Sequence, residues 1–278
     1  MVKVDVIYNK SCLNMSELKD NSIDLIITSP PYFGCRIYDG DENGLGRELD
    51  PRDFVDNLLP YMMEFYRVLK KSGNFYLNIG DSYFGNKGFI RNKGKYKRKT
   101  GDHYKDSEKY VEDGKYLQFK QLLMVPERLA IKMQDEGWIL RNKIVWEKKN
   151  SIPHSVKDRR QATYETIFHF VKSKKNYFDY DLAKRIGNHK DVITCNIHAY
   201  KNHQATFPIG LIEPLLLTSS KPNDVVLDPF MGSGTTAVVA SNANRRYIGY
   251  EQSEEYCKII YDRIREEAGT SNMFDGIE

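Results

Sequence analysis

The chain has 278 residues, 40% hydrophobic and 29% charged, which excludes a disordered polypeptide and allows a full buried core. Its 42 basic and 38 acidic residues leave a net charge of only +4, so bulk charge selects no partner class. Four scattered cysteines without a C-x-x-C pair, no apolar run near the ~20 residues of a membrane span, and no H-E-x-x-H pattern argue against a disulfide framework, a membrane protein and a metal site.

The opening Met1-Val-Lys-Val-Asp5 lacks the layout of a signal peptide, and with the cysteine usage this predicts a cytoplasmic protein. Val2 to Tyr8 alternates apolar and polar residues and predicts a first strand. Asn9 to Cys12 reads as a turn, and Met15 to Leu18 as a short helical segment. Ile23 to Ile27 is a compact apolar run suited to a strand buried on both faces. It stops at Ser29-Pro30-Pro31-Tyr32, where two prolines end the ladder and stiffen the exit. A rigid turn at the carboxyl end of a buried strand is where open α/β sheets hold ligands, although S-P-P-Y alone also suits an ordinary strand-ending turn.

Gly34 to Asp50 reads as a mobile loop. Pro51 to about Lys71 predicts a helix with Phe54, Leu58, Met62, Phe65 and Leu69 inward, ended by Ser72-Gly73. Asn74 to Ile79 is the next strand. Asn86 to Lys105 then sets Lys87, Arg91, Lys93, Lys95, Lys97, Arg98, Lys99 and Lys105 against one acid, Asp102, with Phe89, Tyr96 and Tyr104 between them. Such a stretch cannot bury a core; it is either a solvated loop or a phosphate-contacting arm with rings to stack on bases.

Leu117 to Glu136 predicts a helix interrupted or restarted at Pro126 and capped by Gly137. Trp138 to Trp146 and Tyr164 to Lys172 are strands, suggesting a hairpin at a sheet edge, with a polar loop from Lys148 to Arg160 between them. Tyr180 to Asn202 shows no firm periodicity. Phe207 to Leu217 is an apolar helix, and Val225 to Leu227 a strand feeding Asp228-Pro229-Phe230-Met231-Gly232-Ser233-Gly234-Thr235-Thr236. A helix follows to Asn242, then a strand from Tyr247 to Tyr250 ending on Glu251, and a last amphipathic helix from Ser253 to Glu267. A strand, a glycine turn and a helix aim backbone N–H groups at a ligand, and an acid at the next strand tip can accept ribose hydroxyls. With no lysine after the glycines and no G-x-G-x-x-G, the pattern favours a nucleoside ligand over a triphosphate or NAD.

Taken in order, these segments resemble the amino-methylating DNA methyltransferases of the β arrangement, in which the catalytic segment precedes the cofactor segment. The resemblance implies an α/β, Rossmann-like fold with a mostly parallel seven-stranded sheet and one antiparallel strand, in circularly permuted motif order. It implies one catalytic domain over residues 1–278, with residues 85–116 a basic DNA-facing insertion and residues 181–202 a candidate second recognition segment. S-adenosyl-L-methionine is the implied cofactor, bound by Asp228, Pro229, Phe230, Gly232, Ser233, Gly234, Thr235 and Glu251, with Phe207 and Pro208 on the methionine side. The family often carries Gly-Asp after the first strand, the acid contacting the adenine, whereas this chain departs from it with Lys10-Ser11-Cys12; the resemblance implies Ser11 as the group that can hydrogen-bond there. Ile144 to Pro153 and Ser155 to Arg159 look like the family's mid-chain signature.

The implied reaction methylates an exocyclic base amine, a poor nucleophile because its lone pair is delocalised. The Ser29 hydroxyl and Pro30 carbonyl, held by Pro30 and Pro31, can accept the amine hydrogens without reorganisation. Tyr32 and Phe33 can stack on a flipped base. Arg91, Lys93, Lys95, Lys97, Arg98, Lys99, Lys157, Arg159 and Arg160 are the candidate DNA contacts. In the family, serine at the place of Ser29 usually accompanies cytosine N4, so that target is expected over adenine N6. Implied partners are double-stranded DNA and a cognate restriction endonuclease, with the enzyme a monomer or homodimer and no metal.

Overall fold

The computed structural model describes residues 3–34, 44–85, 112–151, 156–196 and 207–267. The chain divides into two compact units: Met1–Pro30 with Leu59–Ile79 and Ala130–Glu278, and Pro31–Leu58 with Gly80–Leu129.

The first unit holds the sheet, formed by β1 (Val6–Tyr8), β2 (Ile23–Thr28), β3 (Leu69–Ile79), β4 (Ile139–Lys148), β5 (Tyr164–Val171), β6 (Val192–Cys195), β7 (Val225–Asp228) and β8 (Arg246–Tyr250). Their order is β1-β8-β7-β2-β3-β5-β4-β6. Among the described strands of the sheet, only β5 runs antiparallel to its neighbours. The helices are α1 (Pro51–Val68), α2 (Val125–Asp135), α3 (Tyr180–Arg185), α4 (Ile209–Ser219), α5 (Thr235–Asn242) and α6 (Glu254–Glu267).

The expected α/β fold with one antiparallel strand is present, but among the described residues the sheet has eight strands rather than seven. The added β6 lies where the sequence shows no firm periodicity. It is a short edge strand pairing only with β4, and Ile193 is its only fully buried residue, so little apolar pattern marks it. β4 and β5 do pair antiparallel, yet β6 rather than this pair forms the edge.

In the centre, Leu25, Ile26 and Ile27 are at most 2% exposed, as expected for a strand covered on both faces. β2 lies beside β7, with Leu25 opposite Val226 and Ile26 opposite Leu227. The connection after β7 leads through α5 to β8 on one side, while β2 is followed by α1 and β3 on the other. Strand order therefore reverses between β7 and β2, and open α/β sheets bind ligands at the carboxyl ends of such a pair.

The second unit is built around local aromatic contacts. Phe33 packs on Phe54 at 5.7 Å between ring centroids, and Phe84 on Phe119 at 5.5 Å. Tyr116 donates to the Leu123 carbonyl at 2.7 Å while the Arg128 guanidinium lies 4.0 Å from its ring centroid. Asp81 accepts the backbone N–H groups of Met124 and Val125 at 3.0 and 3.2 Å, so it supplies the acceptor that α2 lacks at its start.

Several boundaries differ from expectation, each for a local reason. α1 ends at Val68, and the Ser72-Gly73 pair expected to terminate it lies within β3. The ladder between β2 and β3 is irregular there, and a Cβ on Gly73 would come within 2.8 Å of the Asp24 carbonyl. α2 begins only at Val125, with Pro126 in its first turn, because Lys120 and Met124 before it adopt positive φ. β1 is confined to Val6–Tyr8, since Asp5 has φ +56°. Met15 to Leu18 is a single turn closed by the Leu18 N–H on the Met15 carbonyl, not a helix. Gly137, at φ +97°, closes α2 with the Trp138 N–H on the Met133 carbonyl. Most of the expected loop from Gly34 to Asp50 and the whole basic stretch from Asn86 to Lys105 lie outside the described residues.

Candidate active site

The reversal point between β2 and β7 is fastened by one buried carboxylate. Asp228, the last residue of β7, accepts the Thr28 hydroxyl at 2.6 Å on Oδ1 and the Thr236 hydroxyl at 2.7 Å on Oδ2. The Phe230 N–H adds a third bond to Oδ1 at 3.2 Å. Asp228 is 2% exposed, and burial pushes its carboxyl up to about 6 against the opposing pull of these bonds. Ser29 and Pro30 follow Thr28 directly, Ser29 half-buried and Pro30 buried.

Beyond Asp228 the chain turns through two left-handed glycines, Gly232 at φ +52° and Gly234 at φ +81°. They are glycines for different reasons. A Cβ on Gly234 would lie 2.6 Å from Ile260 Cγ2, whereas one on Gly232 would meet nothing nearer than 4.0 Å and would stand in the open space over the turn. Glu251, just past β8, accepts the Gly232 N–H on Oε2 and the Ser253 N–H on Oε1, both at 2.9 Å. Burial raises its pKa, and the nearby charge of Asp228 adds to the rise. Asn9 donates to the carbonyls of Glu251 and Gln252, each at 2.9 Å, tying the end of β1 to the end of β8.

The turn is also braced from behind. Arg263 on α6 is 4% exposed, and its Nη1 donates to Thr235 Oγ1 at 2.8 Å and to the carbonyl and hydroxyl of Ser233 at 3.2 Å. Thr235 in turn donates to the Phe207 carbonyl at 3.2 Å. Sequence reading gave no role to Thr28, Arg263 or Asn9, and included Thr236 only as the end of the glycine-containing stretch. Arg263 looks like one more charge on a polar helix face, and only its i, i+3, i+6 spacing with the buried Cys257 and Ile260 hints that it points inward.

In the second unit Tyr32 is half-buried, with its ring against Gly80: a Cβ there would sit 2.6 Å from Tyr32 Cε2. Phe33 is a correction. It is 1% exposed and packed on Phe54, so its ring is committed to the core and cannot stack on a base. Phe230 packs at a tilt against Tyr61 and edge-on against Phe65, with ring centroids 5.7 and 6.1 Å away, which makes packing its first occupation. Pro229 is buried. Pro208 is buried just before α4, and Phe207 is half-buried. Ser11 follows β1, its hydroxyl accepting the Leu13 N–H at 3.2 Å. Lys157 and Arg160 are exposed and Arg159 half-exposed, while Arg91, Lys93, Lys95, Lys97, Arg98 and Lys99 lie outside the described residues.

The donor set suits an adenosine cofactor with a charged sulfur centre. A glycine whose Cβ direction is open, backbone N–H groups at a helix start, and the Glu251 carboxylate at the tip of β8 are the kinds of group that accommodate ribose hydroxyls. No helix among the described residues is long and apolar enough to cross a membrane, and no cluster there could hold a metal ion.

Comparison with known proteins points to the same chemistry. The chain is 37% identical to the Type II methyltransferase M.XycI of Xanthomonas campestris pv. cyanopsidis over 259 residues, covering 90% of this chain and 84% of that one. It is likewise 37% identical to the Type II methyltransferase M.Cfr9I of Citrobacter freundii, covering 91% and 85%. The fold matches the PvuII cytosine-N4-specific DNA methyltransferase with a TM-score of 0.73 at 20% identity, covering 96% and 92%. It matches a putative DNA modification methylase of Thermus thermophilus, solved with S-adenosyl-L-methionine, with a TM-score of 0.65 at 20% identity, covering 95% of both chains. A family model described as DNA methylase spans residues 23–262, and the chain belongs to that N6/N4 family of amino-methylating, S-adenosyl-L-methionine-dependent DNA methyltransferases.

Proposed function

We propose that the protein is a site-specific DNA (cytosine-N4)-methyltransferase acting on a base turned out of the duplex. The observation that carries this reading is the 2.6 Å bond from Thr28 to Asp228, which ties the strand running into Ser29-Pro30 to the strand running into the glycine turn. When bound, S-adenosyl-L-methionine supplies an electrophilic methyl group on a sulfonium.

The chain's own residues do the rest. The backbone of Gly232, Ser233, Gly234 and Thr235 and the Glu251 carboxylate hold the nucleoside part, with Ser11 toward the adenine and Phe207-Pro208 toward the methionine. Asp228, Pro229 and Phe230 act by shaping the turn. The Ser29 hydroxyl and the Pro30 carbonyl accept hydrogen bonds from the two amine N–H groups, drawing the nitrogen toward tetrahedral geometry and freeing its lone pair, and one amine proton is released to solvent once the nitrogen is methylated. Pro31 keeps those acceptors rigid. Tyr32 stacks on the extruded base, offsetting an unstacking cost of a few kcal/mol by about 1–3 kcal/mol.

Lys157, Arg159 and Arg160, together with Arg91, Lys93, Lys95, Lys97, Arg98 and Lys99, contact DNA phosphates, and residues 85–116 and 181–202 read the target sequence. Serine at position 29 favours cytosine over adenine. The Type II relatives support a cognate restriction endonuclease as functional partner in the cytoplasm, with this chain working as a monomer or homodimer.

The test is to incubate the protein with duplex DNA and methyl-labelled cofactor, digest the DNA to nucleosides and identify the labelled product by mass. N4-methyldeoxycytidine is expected. N6-methyldeoxyadenosine overturns the choice of base, and unlabelled DNA overturns the function.

A further inference from the structure

We propose that Asp228 is a positioning residue that sets the spacing between the cofactor turn and the catalytic turn, acting through Thr28 and Thr236 rather than through contact with either ligand. This inference rests on the functional reading above. The geometry is specific. Oδ1 takes the Thr28 hydroxyl and the Phe230 N–H, while Oδ2 takes the Thr236 hydroxyl. Thr28 immediately precedes Ser29, Phe230 lies inside the cofactor turn, and Thr236 lies in the first turn of α5. One carboxylate thus grips the three segments that must hold acceptor and donor in line.

The three side chains are sealed from water: Thr28 is 0%, Thr236 1% and Asp228 2% exposed. No solvent can replace a lost bond at this junction, so removing one partner forces the backbone to move or leaves a buried oxygen unsatisfied. The β2–β7 ladder adds little restraint, because its paired residues end at Ile26 and Leu227, short of the turn. The hydroxyl–carboxylate bond therefore carries the connection between the two strands past the end of their ladder, at the residue preceding Ser29. In-line transfer is sensitive to small displacements, a misplacement of ~1 Å costing about 100-fold in rate.

The test pairs Thr28→Val, which keeps the β-branched shape without the hydroxyl, with Thr28→Ser, which keeps the hydroxyl. Thr28→Val should lower kcat about 10- to 100-fold. Its dissociation constant for S-adenosyl-L-methionine should stay within about threefold, and Thr28→Ser should recover most of the rate. Amide hydrogen exchange of residues 230–236 gives a readout independent of activity: faster in Thr28→Val, near wild type in Thr28→Ser. Wild-type kcat and wild-type exchange in Thr28→Val overturn the proposal, as does a loss of cofactor affinity that accounts for the whole loss of rate. Should the wild type itself leave DNA unmethylated, the functional reading fails while the exchange measurement still decides whether the fastening exists.

Discussion

Arg263 Nη1 lies 2.8 Å from Thr235 Oγ1, a bond that reaches from the last described helix to the start of the helix following the cofactor turn. The same nitrogen reaches the carbonyl and hydroxyl of Ser233, and Nε pairs with Glu267 at 2.8 Å. A guanidinium presents these donors in a fixed planar fork, so a single side chain brings α6 and the glycine turn into register.

Arg263→Met keeps much of the stem and removes every donor. Stability is expected to fall by about 2–4 kcal/mol, because buried acceptors lose their partners. Affinity for S-adenosyl-L-methionine should fall with it, since Ser233 and Thr235 belong to the turn. Arg263→Lys should recover only part, an ammonium having no fork. Denaturant unfolding and calorimetric titration measure both; unchanged values in Arg263→Met would falsify the bracing role.

The two glycines of the turn separate fold from binding. Gly234→Ala meets Ile260 at 2.6 Å and adopts φ +81°, so it should destabilise the protein by more than the ~1–2 kcal/mol of the left-handed backbone alone. Gly232→Ala carries the backbone cost without a clash. Its methyl group should instead weaken cofactor binding at least as much as it weakens stability. Equal stability losses and equal affinities in the two variants would refute this division.

Tyr32→Ala is expected to reduce turnover by about 10- to 100-fold, matching a stacking contribution of ~1–3 kcal/mol, while cofactor affinity is retained. Tyr32→Phe, which keeps the ring, should stay within a few-fold of wild type. Steady-state kinetics on a duplex and calorimetric titration of the cofactor distinguish the outcomes, and full turnover in the alanine variant removes Tyr32 from the base-binding role.

Asp228 also predicts a pH dependence. Its carboxyl is raised from 3.8 to about 6 by burial, so between those values the folded state binds the proton more tightly than the unfolded chain does. Stability from this group is therefore greatest below about pH 4 and declines as pH rises to about 6, by up to about 3 kcal/mol. Glu251 shifts in the same direction, so the wild type alone does not isolate Asp228. In Asp228→Asn the slope should be shallower over this window. Urea unfolding of both proteins at about pH 4.5 and about pH 6.5 tests it, and identical slopes count against an ionisable Asp228.

Much of the site could be read from residue order because its chemistry demands particular residue types in particular local settings. Prolines after an apolar run announce a strand that stops rigidly, and glycines between a strand and a helix announce a turn of backbone donors. Ser29-Pro30-Pro31-Tyr32, Gly232, Gly234 and Glu251, which the proposed function uses, stand out on those grounds. Failures came where tertiary context overrode local signals: Ser72-Gly73 served a bulged strand instead of a helix end, and four residues around Ile193 joined an edge too short to leave a pattern. Phe33 illustrates the same limit, since an aromatic ring beside a candidate site looks identical whether it stacks on a ligand or on Phe54.

Residue order was enough to place the strand cores, the two turns and the kind of ligand they suit, since these follow from side-chain pattern and backbone conformational preference over short spans. The folded arrangement was needed to reveal that Thr28 and Asp228, 200 residues apart, share a hydrogen bond, and that Arg263 is buried behind the glycine turn. Hydroxyl, carboxylate and guanidinium groups leave no periodic trace of their partners, because a polar side chain can face water or a buried acceptor with equal local propensity. Which it does depends on the elements packed around it.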